Sequence, residues 1–147
     1  NEDRAHFSMW CMLAAPLIAG NDMSKMSPQT KEILTNKEAI AVNQDALGVQ
    51  GFRHAVSDSL ETWLKPLSNG DWAICFLNRA KTVRKVTFDW KTQIIFDPLS
   101  KRTLNAGTTV YSLRNLWTKT GAGNTGKALT ATVPAHDVLM LRLTATK

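Results

Sequence analysis

The chain begins with a stretch, residues 6–23, in which almost every side chain is apolar (HFSMWCMLAAPLIAGNDM). Spaced as on a helix, the apolar residues cover both of its sides: Phe7, Trp10, Cys11 and Ala14 on one, Met9, Met12 and Leu13 on the other. A helix of this kind must be buried over most of its circumference. Pro16 predicts that the helix ends at Ala15, and residues 17–19 then predict a very short strand, apolar on both faces like the strands of a parallel sheet.

A polar turn and two helix-capping signals follow this strand. After the turn at residues 20–22, Ser27-Pro28 predicts a second helix, because Ser is a good N-cap and Pro suits the first helical position. Asn36 predicts a further short helix over residues 37–43. A buried helix, a buried strand and a polar turn at the strand's carboxyl end indicate the last part of an α/β barrel or a doubly wound sheet. The neighbouring strands of such a sheet are not in this sequence, so we expect the chain to be the C-terminal part of a larger polypeptide.

From Phe52 onward the apolar period changes from about 3.6 residues to 2, which predicts strands. Residues 61–67 and 71–77 predict a hairpin that turns at Asn69-Gly70, and Pro66 places its first strand at a sheet edge or in the last pair. The second strand is apolar on both faces, so we expect it to be central and covered on both sides. Further strands are predicted at residues 84–90, 94–96, 109–116, 128–133 and 138–143, and residues 120–126 predict a flexible loop. About eight short strands favour an antiparallel two-sheet β-sandwich.

The charge pattern supports a boundary between these two parts. Residues 1–50 carry four basic and six acidic side chains, a net charge of −2, whereas residues 51–147 carry fourteen basic and six acidic, a net charge of +8. We therefore predict a first domain over residues 1–47, a linker over residues 48–51 and a second domain over residues 52–147 that folds by itself. The basic residues are scattered and show no repeat with aromatic residues, which disfavours nucleic-acid binding. No apolar run reaches the length of a membrane span.

Several of these segments resemble one enzyme family. The matching stretches are RAHFSMWCMLAAPLIAGNDM at residues 4–23, MSPQTKEILTNKEAIAVNQDALGVQG at 26–51, LETWLKPLSNGDWAICFLNR at 60–79, VYSLRNLW at 110–117 and TATVPAHDVLMLRL at 130–143. They resemble the family 27 glycoside hydrolases, the α-galactosidases and α-N-acetylgalactosaminidases. The resemblance implies that the chain holds the closing helix-strand-helix elements of a (β/α)₈ TIM barrel followed by the family's C-terminal β-domain.

The resemblance also implies a function for the parent enzyme. Members of the family remove terminal α-linked galactose by a retaining mechanism that uses two aspartates and no cofactor, and extracellular, periplasmic or lysosomal locations are expected. The motifs of both aspartates have no counterpart in these residues, so no catalytic residue is expected in this chain. The implied role is structural: the chain completes the barrel, with the rest of the barrel and the carbohydrate substrate as partners. Two alternatives stay open, an α-N-acetylgalactosaminidase parent, or a carbohydrate-binding module whose exposed tryptophans are Trp63, Trp72, Trp90 and Trp117.

One carboxylate has a positional argument for a place near a substrate. Asp22 follows the predicted strand at residues 17–19, and the carboxyl ends of barrel strands face the active site. The competing interpretation is that Asn21 and Asp22 only satisfy backbone groups of the turn.

The other residues of potential chemical interest favour structural roles. His136 and Asp137 are neighbours before a strand and point to opposite faces, which indicates a turn rather than a catalytic dyad. His6 and His54 have no partner at metal-ligand spacing, so no metal site is predicted. The two cysteines, Cys11 and Cys75, lie in apolar segments without Cys-x-x-Cys spacing and predict buried free thiols.

Overall fold

The computed structural model describes residues 1–20 and 22–146. Asn21, which the sequence places in the polar turn, and Lys147 lie outside the described residues. Three helices come first: α1 Glu2–Met12, α2 Pro28–Leu34 and α3 Lys37–Asn43. The Ser27 hydroxyl accepts from the Thr30 N–H, and the Asn36 side chain accepts from the first N–H groups of α3, so both predicted N-caps are confirmed.

The rest of the described chain is built from antiparallel strands. They are β1 Phe52–Ser57, β2 Leu60–Pro66, β3 Trp72–Asn78, β4 Arg84–Phe88, β5 Ile94–Asp97, β6 Arg102–Asn105, β7 Tyr111–Asn115, β8 Thr120–Asn124, β9 Leu129–Val133 and β10 Val138–Ala145. Six of them form one sheet in the order β1-β2-β3-β10-β7-β8, and β4-β9 and β5-β6 form two-stranded sheets. The predicted hairpin joins β2 to β3 through Asn69 and Gly70, both at positive φ, and Pro66 pairs with Trp72 in the last rung. Few helices and mostly antiparallel sheets agree with the predicted β-sandwich.

The central strand β3 separates two hydrophobic cores. Trp72, Ile74 and Phe76 pack into the core between the sheets, whereas Ala73 and Cys75 pack into a second core beneath the helices. All five side chains are at most 1% exposed. The prediction of a central strand covered on both faces is therefore confirmed, and the cover on the second face comes from residues 1–43 of the same chain.

The prediction of a strand at residues 17–19 is wrong. α1 ends at Met12 rather than Ala15, Ala14 adopts a positive φ of 53°, and residues 15–20 form neither helix nor strand. Ile18 is 77% exposed instead of buried. A strand exists only where a neighbour completes its hydrogen bonds, and no described strand lies beside this segment.

The strand count and the predicted loop at residues 120–126 also need correction. Residues 1–20 and 22–146 contain ten strands rather than about eight, and the predicted loop includes β8, which pairs with β7. Both β1 and β8 are solvent-exposed at nearly every position. They therefore lack the alternation of apolar and polar residues that reveals a strand in a sequence.

The predicted linker contains a close backbone contact at Gly51. Its N–H donates to the Met12 carbonyl oxygen over 2.7 Å. A Cβ atom at Gly51 would lie 2.8 Å from that same oxygen and 2.9 Å from the Leu64 carbonyl oxygen. Only glycine lets the chain pass between the end of α1 and strand β2.

We expect Gly51→Ala to lower the free energy of unfolding by about 1–3 kcal/mol, because both obstructing atoms belong to the backbone and cannot rotate away. Gly20→Ala is the matched control, since nothing lies within 4 Å of its added Cβ. Chemical denaturation of both variants measures the difference. Equal stability of the two variants would show that α1 moves freely relative to β2.

Candidate functional site

The helical layer, residues 1–43, presents an apolar hollow on its surface. The hollow has a volume of about 410 Å³ and is lined only by residues of this layer: Phe7, Trp10, Leu17, Ile18, Ala19, Met23, Met26, Lys31, Leu34 and Thr35. Ile18 and Met23 are 77% and 66% exposed, which is unusual for such apolar side chains in one small region. The apolar stretch that the sequence predicts to be buried is therefore covered by the sheet on one side and open on the other.

Asp22 directly precedes Met23, which lines this hollow. Its Oδ1 accepts from the Ser24 N–H over 2.9 Å and from the Ser24 hydroxyl over 2.6 Å, so Asp22 caps the 3-10 helix Met23–Lys25. These hydrogen bonds lower the pKa of Asp22 below its ordinary value of 3.8 and keep the exposed carboxylate charged at neutral pH. The turn-forming role considered from the sequence is thus present, and it leaves the carboxylate accessible to solvent.

Polar contacts fix the helical layer on the sheet. The Lys65 ammonium donates to the Val42 carbonyl oxygen over 2.6 Å and to the Cys11 carbonyl oxygen over 3.2 Å, so one strand residue holds the ends of α1 and α3. Arg4 forms an ion pair with the buried Asp137 carboxylate. Burial lowers the pKa of Lys65, and the nearby Asp45 carboxylate opposes that shift.

Local patterns in the sequence do not predict these contacts, although one of them has a signal there. Lys65 stands within the apolar run Trp63-Leu64-Lys65-Pro66-Leu67, and a lysine buried in such a run needs buried acceptors. The Arg4 and Asp137 pair joins residues 133 positions apart and leaves no local pattern. His136 adopts a positive φ of 52° in the turn before β10, so the structural interpretation of this dipeptide is confirmed.

The four candidate tryptophans do not form an exposed platform. Trp72 and Trp90 are at most 1% exposed and belong to the core between the sheets. Trp63 and Trp117 are partly buried against the helical layer, and the Trp117 indole donates to the Ser8 hydroxyl over 2.9 Å. The binding-module alternative therefore loses the side chains on which it depended.

The remaining candidates occupy structural or surface positions. Cys11 and Cys75 are fully buried free thiols, as predicted. Burial raises the pKa of the Cys11 thiol to about 12 and also raises that of Cys75, which makes both unreactive at neutral pH. The rings of His6 and Trp10 meet edge to face with centroids 4.5 Å apart, and exposed His54 contacts the Gln93 amide oxygen over 3.2 Å. Within residues 1–20 and 22–146, none of the helices has the length and apolarity of a membrane span.

Comparison with known proteins matches both parts of the chain to one group of enzymes. Residues 57–143 match the model of the α-galactosidase C-terminal β-sandwich domain, and residues 1–45 match the model described as α-galactosidase A. α-Galactosidase A of Cellvibrio japonicus is 45% identical over 142 residues, which cover 97% of this chain and 35% of that protein. An α-galactosidase of Oryza sativa is 39% identical over 143 residues, 97% of this chain and 32% of that protein.

A solved structure shows the same fold. The crystal structure of α-galactosidase I from Mortierella vinacea aligns with a TM-score of 0.82 and 30% identity, over 99% of this chain and 36% of that one. The chain thus spans about a third of the length of the relatives that it matches.

Proposed function

Because this chain belongs to the family 27 α-galactosidases, we propose that it forms the closing part of the catalytic barrel and the C-terminal β-sandwich of an enzyme that hydrolyses terminal α-linked galactose. In this proposal residues 1–47 complete the barrel wall, residues 48–51 link it to the sandwich, and residues 52–147 form the sandwich domain. The reaction proceeds with retention of configuration at the sugar.

The observation that carries the proposal is the apolar hollow on the helical layer. Its exposed side chains, Ile18 and Met23 among them, belong to the stretch that matches the α-galactosidase A model. An exposed apolar surface of this kind marks a place where another protein element packs. The strands and helices of the remaining barrel are the proposed cover.

The chain's own carboxylates support a non-catalytic role. A retaining glycosidase needs two carboxyl groups about 5–5.5 Å apart, one acting as nucleophile and the other as acid and base. The buried carboxylates are instead occupied by internal partners: Asp137 by Arg4, Glu61 by Trp63 and Arg79, Asp71 by Arg142 and Thr144, and Asp97 by Ser100. We therefore infer that the two catalytic carboxyl groups come from other parts of the enzyme.

We expect the purified 147-residue chain to release no nitrophenol from 4-nitrophenyl α-galactoside. The informative counterpart is a chimera in which this chain replaces the matching C-terminal third of the Cellvibrio japonicus relative. The chimera should hydrolyse the galactoside, and 4-nitrophenyl α-N-acetylgalactosaminide tests the alternative specificity in the same assay. A folded chimera without activity on either substrate, or turnover by the chain alone, would contradict the proposed role.

Asp22 is proposed to lie near the substrate of the complete enzyme, because its charged carboxylate is exposed at the edge of the barrel-facing layer. In the chimera, Asp22→Asn should raise KM for the galactoside. Asp89→Asn is the matched control, since Asp89 caps another three-residue 3-10 helix, in the sandwich, by accepting from the Lys91 N–H. Equal KM values for the two variants would show that Asp22 only stabilises its turn.

A further inference from the structure

A cleft of about 400 Å³ lies between the two sheets, and the proposed barrel role does not use it. Two edge strands form its sides, β1 of the six-stranded sheet and β4 of the β4-β9 sheet. Its volume falls in the range of about 300–1,000 Å³ that small-molecule sites occupy. Because neither edge strand has a further neighbour among the described strands, the cleft opens to solvent along its side.

The floor of the cleft is one row of side chains across the large sheet. Ala55 pairs with Thr62, and Thr62 pairs with Phe76, so these three side chains share one face. Phe88 of β4 meets Phe76 edge to face, with ring centroids 5.5 Å apart. Phe76 is 1% exposed, whereas Phe88 is only partly buried and lines the cleft. The small Ala55 leaves space beside this aromatic pair.

An ion pair forms the rim. Arg84 donates through Nη2 to Asp58 Oδ1 over 3.2 Å, through Nε to the Asp58 carbonyl oxygen over 3.1 Å, and through Nη1 to the Thr82 hydroxyl over 3.0 Å. The guanidinium is therefore fixed in orientation, and the Asp58 carboxylate balances its charge. The Asp58 side chain is 78% exposed and lines the cleft, so its carboxylate can accept further hydrogen bonds.

We propose that this cleft is a binding site for a neutral saccharide, separate from the sugar site of the barrel. A sugar ring has an apolar face of C–H groups and a periphery of hydroxyls. The Phe88 ring can pack against the apolar face of the sugar. The hydroxyls of Ser57 and Thr62, together with the Asp58 and Arg84 pair, can form hydrogen bonds with the sugar hydroxyls. Lys85 also lines the cleft, and its ammonium is a further hydrogen-bond donor for sugar hydroxyls.

An extended peptide is the other occupant that the edge strand β4 suggests. Adding a peptide strand requires an unobstructed edge. Arg84 points into the cleft from β4 and Lys85 follows it, and charged residues on an edge strand disfavour pairing with another strand. The saccharide is therefore the ligand that the side chains favour.

The test follows the amide resonances of the ¹⁵N-labelled 147-residue chain during titration with the methyl glycosides of galactose, glucose and mannose. We expect saturable shifts at Thr62, Val86 and Phe88 with at least one glycoside, at a dissociation constant of about 1–10 mM. A second cleft of about 400 Å³ serves as an internal control. Its described lining includes Leu129 and Thr130 but no aromatic residue, so its amide resonances should not shift.

Two variants and a matched control complete the experiment. Arg84→Met and Thr62→Val should each weaken binding by about tenfold, as expected for a lost hydrogen bond worth about 1.4 kcal/mol, while Thr130→Val in the second cleft should not change it. Arg84→Met keeps the fold, because an ion pair on the solvent-exposed surface contributes little to stability. No saturable shift with any glycoside, shifts confined to the Thr130 cleft, or unchanged affinity in Arg84→Met would each overturn the proposal.

Discussion

Phe76→Ala should lower the free energy of unfolding by about 3–5 kcal/mol, the range observed when a buried phenylalanine is truncated to alanine. Phe76 is 1% exposed in the core between the sheets, on the central strand β3. Its ring contacts Phe88 edge to face, and Phe88 contacts Trp90 in the same way with ring centroids 4.8 Å apart. Truncation therefore removes one of three rings in contact and leaves a cavity. The cavity cannot close, because β3 is paired with a strand on each side.

Phe96→Ala is the matched control, because Phe96 is 54% exposed on the short strand β5. Its unfolding free energy should change by no more than about 0.5 kcal/mol. Urea denaturation followed by tryptophan fluorescence compares the two variants with the unchanged chain. A cost below about 1 kcal/mol for Phe76→Ala would mean that the core between the sheets does not depend on this ring.

Removal of residues 1–47 should abolish cooperative unfolding of the remaining chain, which reverses the expectation that the sequence alone suggests. Four large side chains of the sheet are buried beneath the helical layer: Leu67, Leu116, Val138 and Met140. Exposing each costs about 1.5–3 kcal/mol, so their combined cost of about 6 kcal/mol or more is comparable with the total stability of a typical domain. The Lys65 ammonium also loses both carbonyl partners.

The truncated chain is compared with the full chain by denaturant unfolding and by its tendency to self-associate. We expect no sigmoidal transition and aggregation through the uncovered sheet face. A truncated chain that stays monomeric and unfolds at the same midpoint would support the boundary at residues 48–51 as a division between independently folding domains. The control is the full chain carrying Gly20→Ala. This substitution changes the first segment without altering its packing, so the variant should unfold like the unchanged chain.

Local signals in the sequence predicted much of this fold. The structure confirms the features that depend on residues close together in the chain. These are the N-caps Ser27 and Asn36, the Asn69-Gly70 hairpin and strand β3, which is buried on both faces. The strand predicted at residues 17–19 failed for the opposite reason, because pairing depends on a neighbouring strand and none is present in the described residues.

The candidate sites also differ in whether they depend on local sequence or on contacts between distant residues. The proposal for Asp22 depends on its position after an apolar run, and the structure adds only its contacts with Ser24. The saccharide cleft could not be predicted, because Ala55, Phe76 and Phe88 converge only through strand pairing and packing of two sheets. Ionic contacts across the chain, such as Arg4 with Asp137, were equally beyond the reach of local patterns.

The position of β10 has a consequence for the order of events during protein synthesis. This strand follows all the others in sequence, yet it lies in the middle of the large sheet between β3 and β7. A ribosome releases the chain from its N-terminal end, so β3 and β7 remain without their shared neighbour until β10 has left the exit tunnel. Until then each of the two strands has one unpaired edge, and unpaired strand edges make a nascent chain prone to association with other chains.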